Sequence, residues 1–163
     1  MEEREKRVYN FLDKLGIKYD RYTHEPMMTI ADAVEVERKM GLEICKNLFL
    51  RSKTDYYLLL MEGSKKFNTG RVSKQLGIPR MTFGAADAME ELLDLYPGSV
   101  SPLGLINDEE NKVRLLVDED VLKTEKIAVH PCMNTATLVI NTEDLIEKIL
   151  PACKHGLTKV VLE

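Results

Sequence analysis

The sequence predicts an α+β fold built around a mixed or largely antiparallel sheet. Strand-like segments outnumber helical ones, roughly seven or eight against four or five, and the two kinds follow one another in irregular order. Strand-like runs succeed one another in the second half, whereas a doubly wound parallel sheet would show regular strand–helix alternation. A length of 163 residues with 44% hydrophobic residues fits one globular domain spanning residues 1–163.

The N-terminal segment has the clearest helical pattern, over residues 2–15. Val8, Leu12 and Leu15 recur at spacings of four and three, which places them on one face of a helix. Gly16 follows directly, and glycine commonly ends a helix because it adopts the left-handed conformation without strain. We therefore expect one apolar stripe facing the core.

Residues 17–41 predict a short strand followed by a capped helix. The alternation in residues 17–23 is typical of a half-buried strand. Thr29 is a predicted N-cap, because its hydroxyl can accept a hydrogen bond from an amide of the first helical turn. The helix then covers residues 30–40 and ends at Gly41.

The middle of the chain predicts a β-hairpin. Two strand-like runs, residues 45–51 and 56–61, flank the polar residues SKTD, which suit a tight turn. The rest of the chain is divided by capping residues and by Gly or Pro. The predicted helices there are 68–76, 85–95 and 142–150, and the predicted strands are an irregular one at 98–106, then 113–118, 126–130, 136–140 and the terminal run LTKVVLE.

Charge and cysteine content narrow the class of protein. A net charge of −4 argues against a protein that coats polyanions, because that role needs a basic surface. Three cysteines at irregular spacing argue against a disulfide scaffold and favour a reducing compartment. The charged N-terminal residues do not resemble a secretion signal, and no apolar run approaches the roughly 18 residues of a membrane helix. The sequence thus predicts a soluble, cytoplasmic protein with no membrane partner, and it leaves the oligomeric state open.

Common catalytic motifs are absent from the sequence, which has no P-loop, GxGxxG, GxSxG, HExxH or CxxC. His130, Cys132, Cys153 and His155 are the set that would suit zinc if they met in space. Their spacing is not that of a metal site, and buried cysteines with a helix-capping histidine are the simpler explanation. We therefore predict no metal and no cofactor.

One stretch of the chain, from Gly63 to Ala86, contains no acidic residue. Its basic residues leave the remainder of the chain more acidic than the net charge indicates. They are Lys65, Lys66, Arg71, Lys74 and Arg80. A cationic face of this kind suits the docking of one end of a polyanion, although the solvated side chains of an ordinary helix produce the same pattern.

The strand-like run CKNLFLR carries a lysine in an unusual setting. Pleat alternation puts Lys46 on one face of the strand with Leu48 and Leu50. Asn47 falls on the opposite face with Phe49. A lysine among leucines is either buried with a lowered pKa, aimed into a pocket, or extended to water from a strand end.

Two further features are candidates for a site. Gly98 to Pro102 has the pattern GxxxP, in which glycine lets a ligand approach backbone amides that can hold an oxyanion or a carbonyl. A simple bend is the alternative explanation. His130 precedes Pro131 at a predicted strand end, where a turn exposes side chains.

Four stretches carry a family resemblance: KNLFLR (46–51), KKFNTGRVSKQLG (65–77), GSVSPLGLIND (98–108) and HPCMNTATLVI (130–140). In order and separation they resemble the trans-acting prolyl-tRNA editing proteins of the ProX/YbaK superfamily. They are also similar to the editing domain inserted in bacterial prolyl-tRNA synthetase. The N-terminal helix and the segment Tyr22–Ala33 fit as well, so the resemblance covers almost the whole chain.

The resemblance implies hydrolysis of a mischarged aminoacyl-tRNA(Pro) in trans, and a curved mixed sheet with flanking helices around a small pocket. It matches Lys46 with the essential lysine of the family. Asn47 and His130 are similar to the branch that removes alanine, while the YbaK branch, which removes cysteine, is the alternative. The implied partner is the acceptor end of tRNA(Pro), and prolyl-tRNA synthetase is a further candidate.

The predicted site combines the resemblance with the residue patterns. The catalytic candidates are Lys46 and Asn47. The substrate-binding candidates are Ile30, Ala33, Gly98, Ser99, Pro102, His130 and Asn134, and the tRNA-binding candidates are Lys65, Lys66, Arg71 and Lys74. Ile30 and Ala33 share a helical face, which suits either the wall of a small amino-acid pocket or plain core.

The predicted reaction is direct hydrolysis, because no Ser, Cys or metal centre is evidently placed for covalent attack. Lys46 would supply positive charge, amides near Gly98 would hold the carbonyl, and Asn47 would hydrogen-bond the aminoacyl or ribose end. His130 is either a general base or a pocket wall. Two other classes compete: a non-catalytic module that grips tRNA or a synthetase or regulates proline metabolism, and a soft-metal or redox protein using Cys132 and Cys153.

Overall fold

The computed structural model describes residues 2–27 and 29–162, and of Ile30 it describes the backbone alone. The helices are α1 (Glu3–Lys14), α2 (Ile30–Met40), α3 (Thr69–Leu76), α4 (Ala86–Leu93), a 3-10 helix (Pro102–Asn107), α5 (Glu119–Leu122), α6 (Thr142–Asp144), a π-helical segment (Leu145–Ile149) and α7 (Leu150–Ala152). The strands are β1 (Tyr19–Thr23), β2 (Lys46–Ser52), β3 (Asp55–Met61), β4 (Thr82–Phe83), β5 (Val113–Asp118), β6 (Lys126–Val129), β7 (Ala136–Asn141) and β8 (Thr158–Val160). The predicted α+β class is confirmed.

The described strands form two sheets rather than one. A three-stranded antiparallel sheet has the order β1-β7-β6, and a five-stranded mixed sheet has the order β4-β2-β3-β5-β8. In the larger sheet β2 pairs antiparallel with β3 and β4, whereas β5 pairs parallel with β3 and β8. A single parallel bridge between Ile44 and Ala128 joins the sheets just before β2 begins. No further pairing between the segments that lead into β2 and follow β6 is found among the described residues, so this bridge is the one link between the two sheets.

Apolar side chains cover both faces of the five-stranded sheet. On one face Phe49, Leu58 and Leu60 pack in a large cluster with residues of α1, α4, the 3-10 helix and the smaller sheet. On the other face Leu50 and Leu59 pack in a smaller cluster that includes Val72 of α3. The two faces are called below the large-core face and the α3 face.

Local capping signals place the helices as predicted. Thr29 accepts a hydrogen bond from the amide of Asp32, whose carboxylate accepts one from the amide of Thr29, which completes a capping box at the start of α2. Gly41, in the left-handed conformation, ends this helix. In α1 the predicted apolar stripe is buried at Val8 and Leu12.

The predicted irregular strand at 98–106 is wrong. Gly98 has a φ of +96°, which takes the chain out of extended conformation, and Pro102 begins the 3-10 helix. Proline suits the first helical position because its φ is already helical and it has no amide to leave unpaired.

Two short elements, β4 and α5, carry no clear sequence signal and were not predicted. No helix among the described residues is long and apolar enough to cross a membrane.

Candidate functional site

The start of β2 carries two predicted site residues on opposite faces of the sheet. Lys46 lies on the α3 face with Leu48 and Leu50, and Asn47 lies on the large-core face with Phe49. This separation agrees with the alternation predicted from the sequence. It also means that the two catalytic candidates lie on opposite faces of the sheet at one strand end.

Lys46 is exposed at the start of β2, which excludes the buried alternative and agrees with a lysine that extends to water from a strand end. Its Nζ donates a hydrogen bond to the carbonyl oxygen of Lys65 at 2.9 Å. The side chain also lines an open groove of about 360 Å³. The groove, called here the aromatic groove, is lined by Lys46, Leu48, Phe67, Asn68, Thr69, Arg80 and Phe83. An exposed lysine that lines an open groove is compatible with both remaining interpretations, the lysine aimed into a pocket and the lysine extended to water.

Asn47 holds a buried hydrogen-bond acceptor. Its Oδ1 is shielded from solvent and has no partner among the described residues. A buried polar atom without a partner costs about 1–3 kcal/mol, and native structures contain few of them. A donor supplied at this position by a ligand would satisfy the amide oxygen.

His130 lies where the two sheets separate. Ile44 is bridged to Ala128, and the amide of Cys45 donates to the carbonyl of Ala128 at 3.1 Å. Lys46 follows Ile44 by two residues, and His130 follows Ala128 by two residues. Asn47 and His130 therefore lie on the two segments that diverge from this bridge.

A small polar cluster surrounds His130. Its Nδ1 lies 2.8 Å from the carbonyl oxygen of Ala136 and 3.4 Å from Oγ1 of Thr137. His24 approaches the same hydroxyl, with Nε2 at 2.8 Å, and the two imidazole rings are 6.1 Å apart. Because Nδ1 of His130 faces a carbonyl, it carries the proton, and Nε2 keeps a lone pair that no described residue engages.

Burial lowers the pKa of His130 below its ordinary value, and the nearby His24 lowers it further, while the hydrogen bond to Ala136 raises it. The folded protein thus favours the neutral imidazole. A neutral histidine with a fixed tautomer is suited to accept a proton at Nε2.

The loop that contains Gly98 is tied to Asn134 through Tyr96. The hydroxyl of Tyr96 donates to Oδ1 of Asn134 at 3.0 Å and accepts from the amide of Asn134 at 3.1 Å. A Cβ on Gly98 would lie 3.8 Å from Nδ2 of the same asparagine. The structure thus brings together two predicted substrate-binding residues, Gly98 and Asn134.

Two other predicted substrate contacts in this loop are corrected. Ser99 is fully buried, and its hydroxyl bonds the backbone amide and carbonyl of Tyr96. Pro102 is buried at the start of the 3-10 helix. Both residues shape the loop and neither presents its side chain to a ligand. The amides of Gly98 and Val100 have no partner among the described residues. The hydrogen-bond donors that this loop has available are therefore backbone amides and not side chains.

The predicted pocket wall on α2 is described only in part. Ala33 is partly buried, while the side chain of Ile30 lies outside the described part of the structure. Upstream of α2, the amide of His24 bonds the carbonyl of Thr135 beside β7. A wall made by this helix remains a prediction.

The predicted tRNA-binding lysines have different environments. Lys66, Arg71 and Lys74 are exposed and line a groove of about 830 Å³, called here the cationic groove. Asn68 lines both this groove and the aromatic groove, so the two adjoin. This arrangement gives the acid-free stretch of the sequence a continuous basic surface beside Lys46.

Lys65 is not part of that surface, which corrects its predicted role. Its Nζ bonds Asp118 at 2.9 Å, Asp120 at 2.6 Å and the carbonyl of Leu162 at 3.1 Å. The lysine side chain is 11% exposed and that of Asp118 is 0% exposed. An ammonium group with its three hydrogen bonds made and its charge balanced has none left for a phosphate.

The cysteines and the candidate zinc ligands do not form a reactive centre in the described structure. Burial raises the pKa of Cys45 and Cys132 to about 12 and that of Cys153 to about 11, so the thiols stay protonated and weakly nucleophilic. Among residues 2–27 and 29–162, no three His, Cys, Asp or Glu side chains meet as metal ligands would. His155 instead bonds the buried Asp108 through Nε2 at 2.9 Å.

Sequence reasoning missed several residues of the site. His24 and Thr137 join His130 from distant positions, and Tyr96 anchors Asn134. His24 stands inside a segment already noted for its family resemblance, which was the one available signal for it. Thr137 alternates with buried aliphatic residues along β7 and looks like ordinary core in the sequence.

Three comparisons with known proteins bear on this site. Residues 24–148 match the family described as Aminoacyl-tRNA editing domain. The chain is 34% identical over 143 residues to Prolyl-tRNA editing protein ProX of Acetoanaerobium sticklandii, covering 86% of this chain and 87% of that protein. It is 28% identical over 160 residues to Prolyl-tRNA synthetase associated domain-containing protein 1 of Danio rerio, covering 96% and 85%.

A solved structure supports the fold. The chain superimposes with a TM-score of 0.74 on a crystal structure of a proposed trans-editing enzyme for prolyl-tRNA synthetase. The match covers 100% of this chain and 98% of that one at 18% sequence identity. A similarity at this level of identity concerns the fold.

Proposed function

The chain belongs to the aminoacyl-tRNA editing domain family, and from that premise we propose that it removes alanine from mischarged tRNA(Pro) in trans. Editing of this kind hydrolyses the ester between an amino acid and the 3′-terminal ribose of the tRNA. Residues 1–163 act as a single editing domain in this proposal.

One observation carries the site assignment. The unpartnered Oδ1 of Asn47 and the unengaged Nε2 of His130 lie on the two segments that diverge at the Ile44–Ala128 bridge. An acceptor without a donor suits the binding of the aminoacyl ammonium group, and a base with a fixed tautomer suits the removal of a proton from the attacking water. The α-ammonium group of the aminoacyl moiety supplies the missing donor for Asn47.

The proposed step is attack by water without a covalent enzyme intermediate. The water oxygen bonds the ester carbonyl carbon while Nε2 of His130 takes one of its protons. The resulting oxyanion is held by the free backbone amides of Gly98 and Val100. When the tetrahedral intermediate collapses, the bond to the ribose oxygen breaks and His130 returns the proton to that oxygen. The products are the free amino acid, as its carboxylate, and the tRNA hydroxyl, with one proton released to solvent.

Lys46 acts from the other face of β2 in this scheme. Its ammonium group leaves the carbonyl of Lys65 and binds the phosphate of the terminal nucleotide, which brings positive charge beside the ester. Lys66, Arg71 and Lys74 then contact phosphates further along the acceptor end. The exposed position and open surroundings of Lys46 support this role rather than that of a buried base.

Selectivity for alanine rests on size and hydrogen bonding. The synthetase cannot strongly reject an amino acid smaller than proline, because a missing methylene is worth about 1–3 kcal/mol, so a second sieve is needed. A pocket bounded by α2 and His130 excludes the pyrrolidine ring by steric overlap. The secondary amine of proline also has fewer N–H donors than the primary amine of alanine to offer Asn47.

Release of labelled alanine from Ala-tRNA(Pro) tests the proposal. Substoichiometric wild-type protein should accelerate release well above the buffer rate and turn over repeatedly. Binding of Ala-tRNA(Pro) without any acceleration would contradict hydrolysis and favour a non-catalytic tRNA-binding module. His130→Gln, which keeps an N–H donor near Ala136 and Thr137 but removes the base, is the matched variant and should lower kcat at least a hundredfold.

A further inference from the structure

The aromatic groove contains an exposed aromatic ring that the proposed chemistry does not use. Phe83 is 64% exposed, in a molecule whose large hydrophobic side chains are otherwise mostly buried. It lies on β4, the short edge strand of the larger sheet, directly paired with Leu50 of β2. Since paired residues project to the same side of a sheet, Phe83 stands on the α3 face, as Lys46 does.

A second ring and two cations complete the groove. The ring of Phe67 lies 6.2 Å from that of Phe83 at an angle of 66°, in an edge-to-face arrangement that leaves a face of Phe83 open. Lys46 and Arg80 line the same cavity of about 360 Å³, and none of its described lining residues is acidic. Arg80 is oriented by a hydrogen bond from its Nε to Oγ1 of Thr69 at 3.3 Å.

The backbone next to Phe83 holds the strand in place. The amide of Gly84 donates to the carbonyl of Phe49 at 2.9 Å. A Cβ on Gly84 would lie 2.3 Å from the ring of Phe49, so only glycine lets β4 approach β2 this closely. Phe83 is thus an exposed residue on a firmly positioned edge rather than on a loose loop.

We infer that the aromatic groove binds an unpaired nucleobase of the tRNA 3′ end, stacked on Phe83, with its phosphate held by Lys46 or Arg80. Aromatic side chains beside a basic track are the recurrent means of binding single-stranded nucleic acid, because every base has a π-face and every nucleotide a phosphate. The adjoining cationic groove continues the basic track through Asn68 to Lys66 and Lys74. An apolar segment of a protein partner would not account for the two cations, Lys46 and Arg80, that line the groove.

This inference rests on the proposed function, since it assigns the groove to the same substrate. It adds a contact that reads a base rather than the amino acid. Phosphate contacts depend steeply on salt, whereas stacking on Phe83 does not, so the two contributions can be separated.

Binding of an uncharged single-stranded oligonucleotide ending in CCA, with 2-aminopurine in place of the terminal adenine, tests the inference without any hydrolysis. The protein contains no tryptophan, so 2-aminopurine fluorescence reports stacking without interference. Phe83→Leu, which keeps the apolar volume but removes the ring, should raise Kd about tenfold and leave the salt slope unchanged. Phe83→Tyr should bind at least as tightly as wild type. An oligonucleotide lacking the terminal base, measured by competition with the fluorescent one, should bind wild type as weakly as Phe83→Leu binds the intact one.

Equal Kd values for wild type and Phe83→Leu would overturn the inference, as would an equal loss in Phe83→Leu and Phe83→Tyr. The outcome is distinguishable from failure of the proposed function. Phe83-dependent binding with no deacylation would contradict the proposed hydrolysis and support the binding of a nucleobase in the aromatic groove. Normal deacylation with unchanged KM in Phe83→Leu would contradict the binding of a nucleobase in the aromatic groove and support the proposed hydrolysis.

Discussion

The hydroxyl of Thr137 lies 2.8 Å from Nε2 of His24, although 113 residues separate them in the chain. Nδ1 of His24 faces the carbonyl of Glu25 at 2.8 Å and therefore carries that ring's proton, so Nε2 accepts from Thr137. The lone pairs of the Thr137 oxygen then point to Nδ1–H of His130. The result is a directional chain from His130 through Thr137 to His24, which fixes the tautomer of the proposed base.

The first prediction concerns pH. Because the pKa of His130 is lowered, its imidazole stays neutral to a more acidic pH than an ordinary histidine, whose pKa is about 6.5. If it is the base, kcat/KM should hold as pH falls to 6.5 and decline only below that value. The Coulombic effect of His24 lowers the pKa of His130, so His24→Gln should move the acidic limb to higher pH. Two results would contradict the assignment of His130 as the titrating base. One is a pH profile of kcat/KM whose acidic limb does not move in His24→Gln, and the other is a wild-type profile with its midpoint above pH 6.5.

Asn47 should show opposite effects on stability and activity. Asn47→Leu replaces an unpartnered buried oxygen with an apolar group of similar volume, so the free energy of unfolding should rise by about 1 kcal/mol. Deacylation should fall sharply, mainly through KM, because the acceptor for the aminoacyl ammonium group is lost. Urea unfolding and steady-state kinetics on the same preparation measure both. A destabilised variant with normal KM would show that Asn47 supports the fold and not the substrate.

Lys46 should be needed for activity and dispensable for the fold. Lys46→Ala removes an exposed side chain whose one hydrogen bond is to the Lys65 carbonyl, so unfolding free energy should change by less than about 0.5 kcal/mol. Deacylation should fall by at least a hundredfold, through lost stabilisation of the terminal phosphate and the ester. Lys18→Ala, another exposed lysine between α1 and β1, is the control and should behave as wild type. Near wild-type activity in folded Lys46→Ala would contradict a catalytic role.

Neighbouring lysines in the basic stretch should respond differently. Lys66→Glu combined with Lys74→Glu should weaken tRNA binding and reduce the salt slope of log K by about one unit for each lost phosphate contact. Lys65→Met instead leaves Asp118 buried and uncompensated, so it should cost about 3 kcal/mol of stability. Its salt slope, measured under folded conditions, should remain that of wild type. The reverse pattern would place Lys65 on the tRNA surface.

The fold class and most element positions could be predicted because their signals are local. The capping box of Thr29 and Asp32, the left-handed Gly41 and the alternation that separates Lys46 from Asn47 are set within a few residues. The two sheets are linked by one bridge between Ile44 and Ala128, and no local sequence pattern predicts this bridge. The loop at Gly98 was misread as strand, since its glycines and proline fit either conformation until Tyr96 and Asn134 are brought together.

The site was predicted less completely because it is assembled from distant segments. Lys65 and Lys66 look alike in the sequence, and only the position of Asp118, 53 residues away, separates a structural ion pair from a solvent-facing cation. His24 and Thr137 meet His130 through the pairing of β1 with β7. Pairings of this kind follow from topology, which composition and spacing do not specify.

Side-by-side deacylation of Ala-, Cys- and Pro-tRNA(Pro) by wild-type protein tests the central proposal most directly. A pocket closed by His130 and α2 should accept a methyl side chain, resist the larger sulfur of cysteine and exclude the proline ring, because steric overlap is steeply repulsive. Initial rates should rank alanine above cysteine and cysteine above proline, and His130→Ala should raise the rates on the larger groups relative to alanine. A wild-type preference for cysteine over alanine would contradict the proposal and assign the protein the cysteine-removing activity instead.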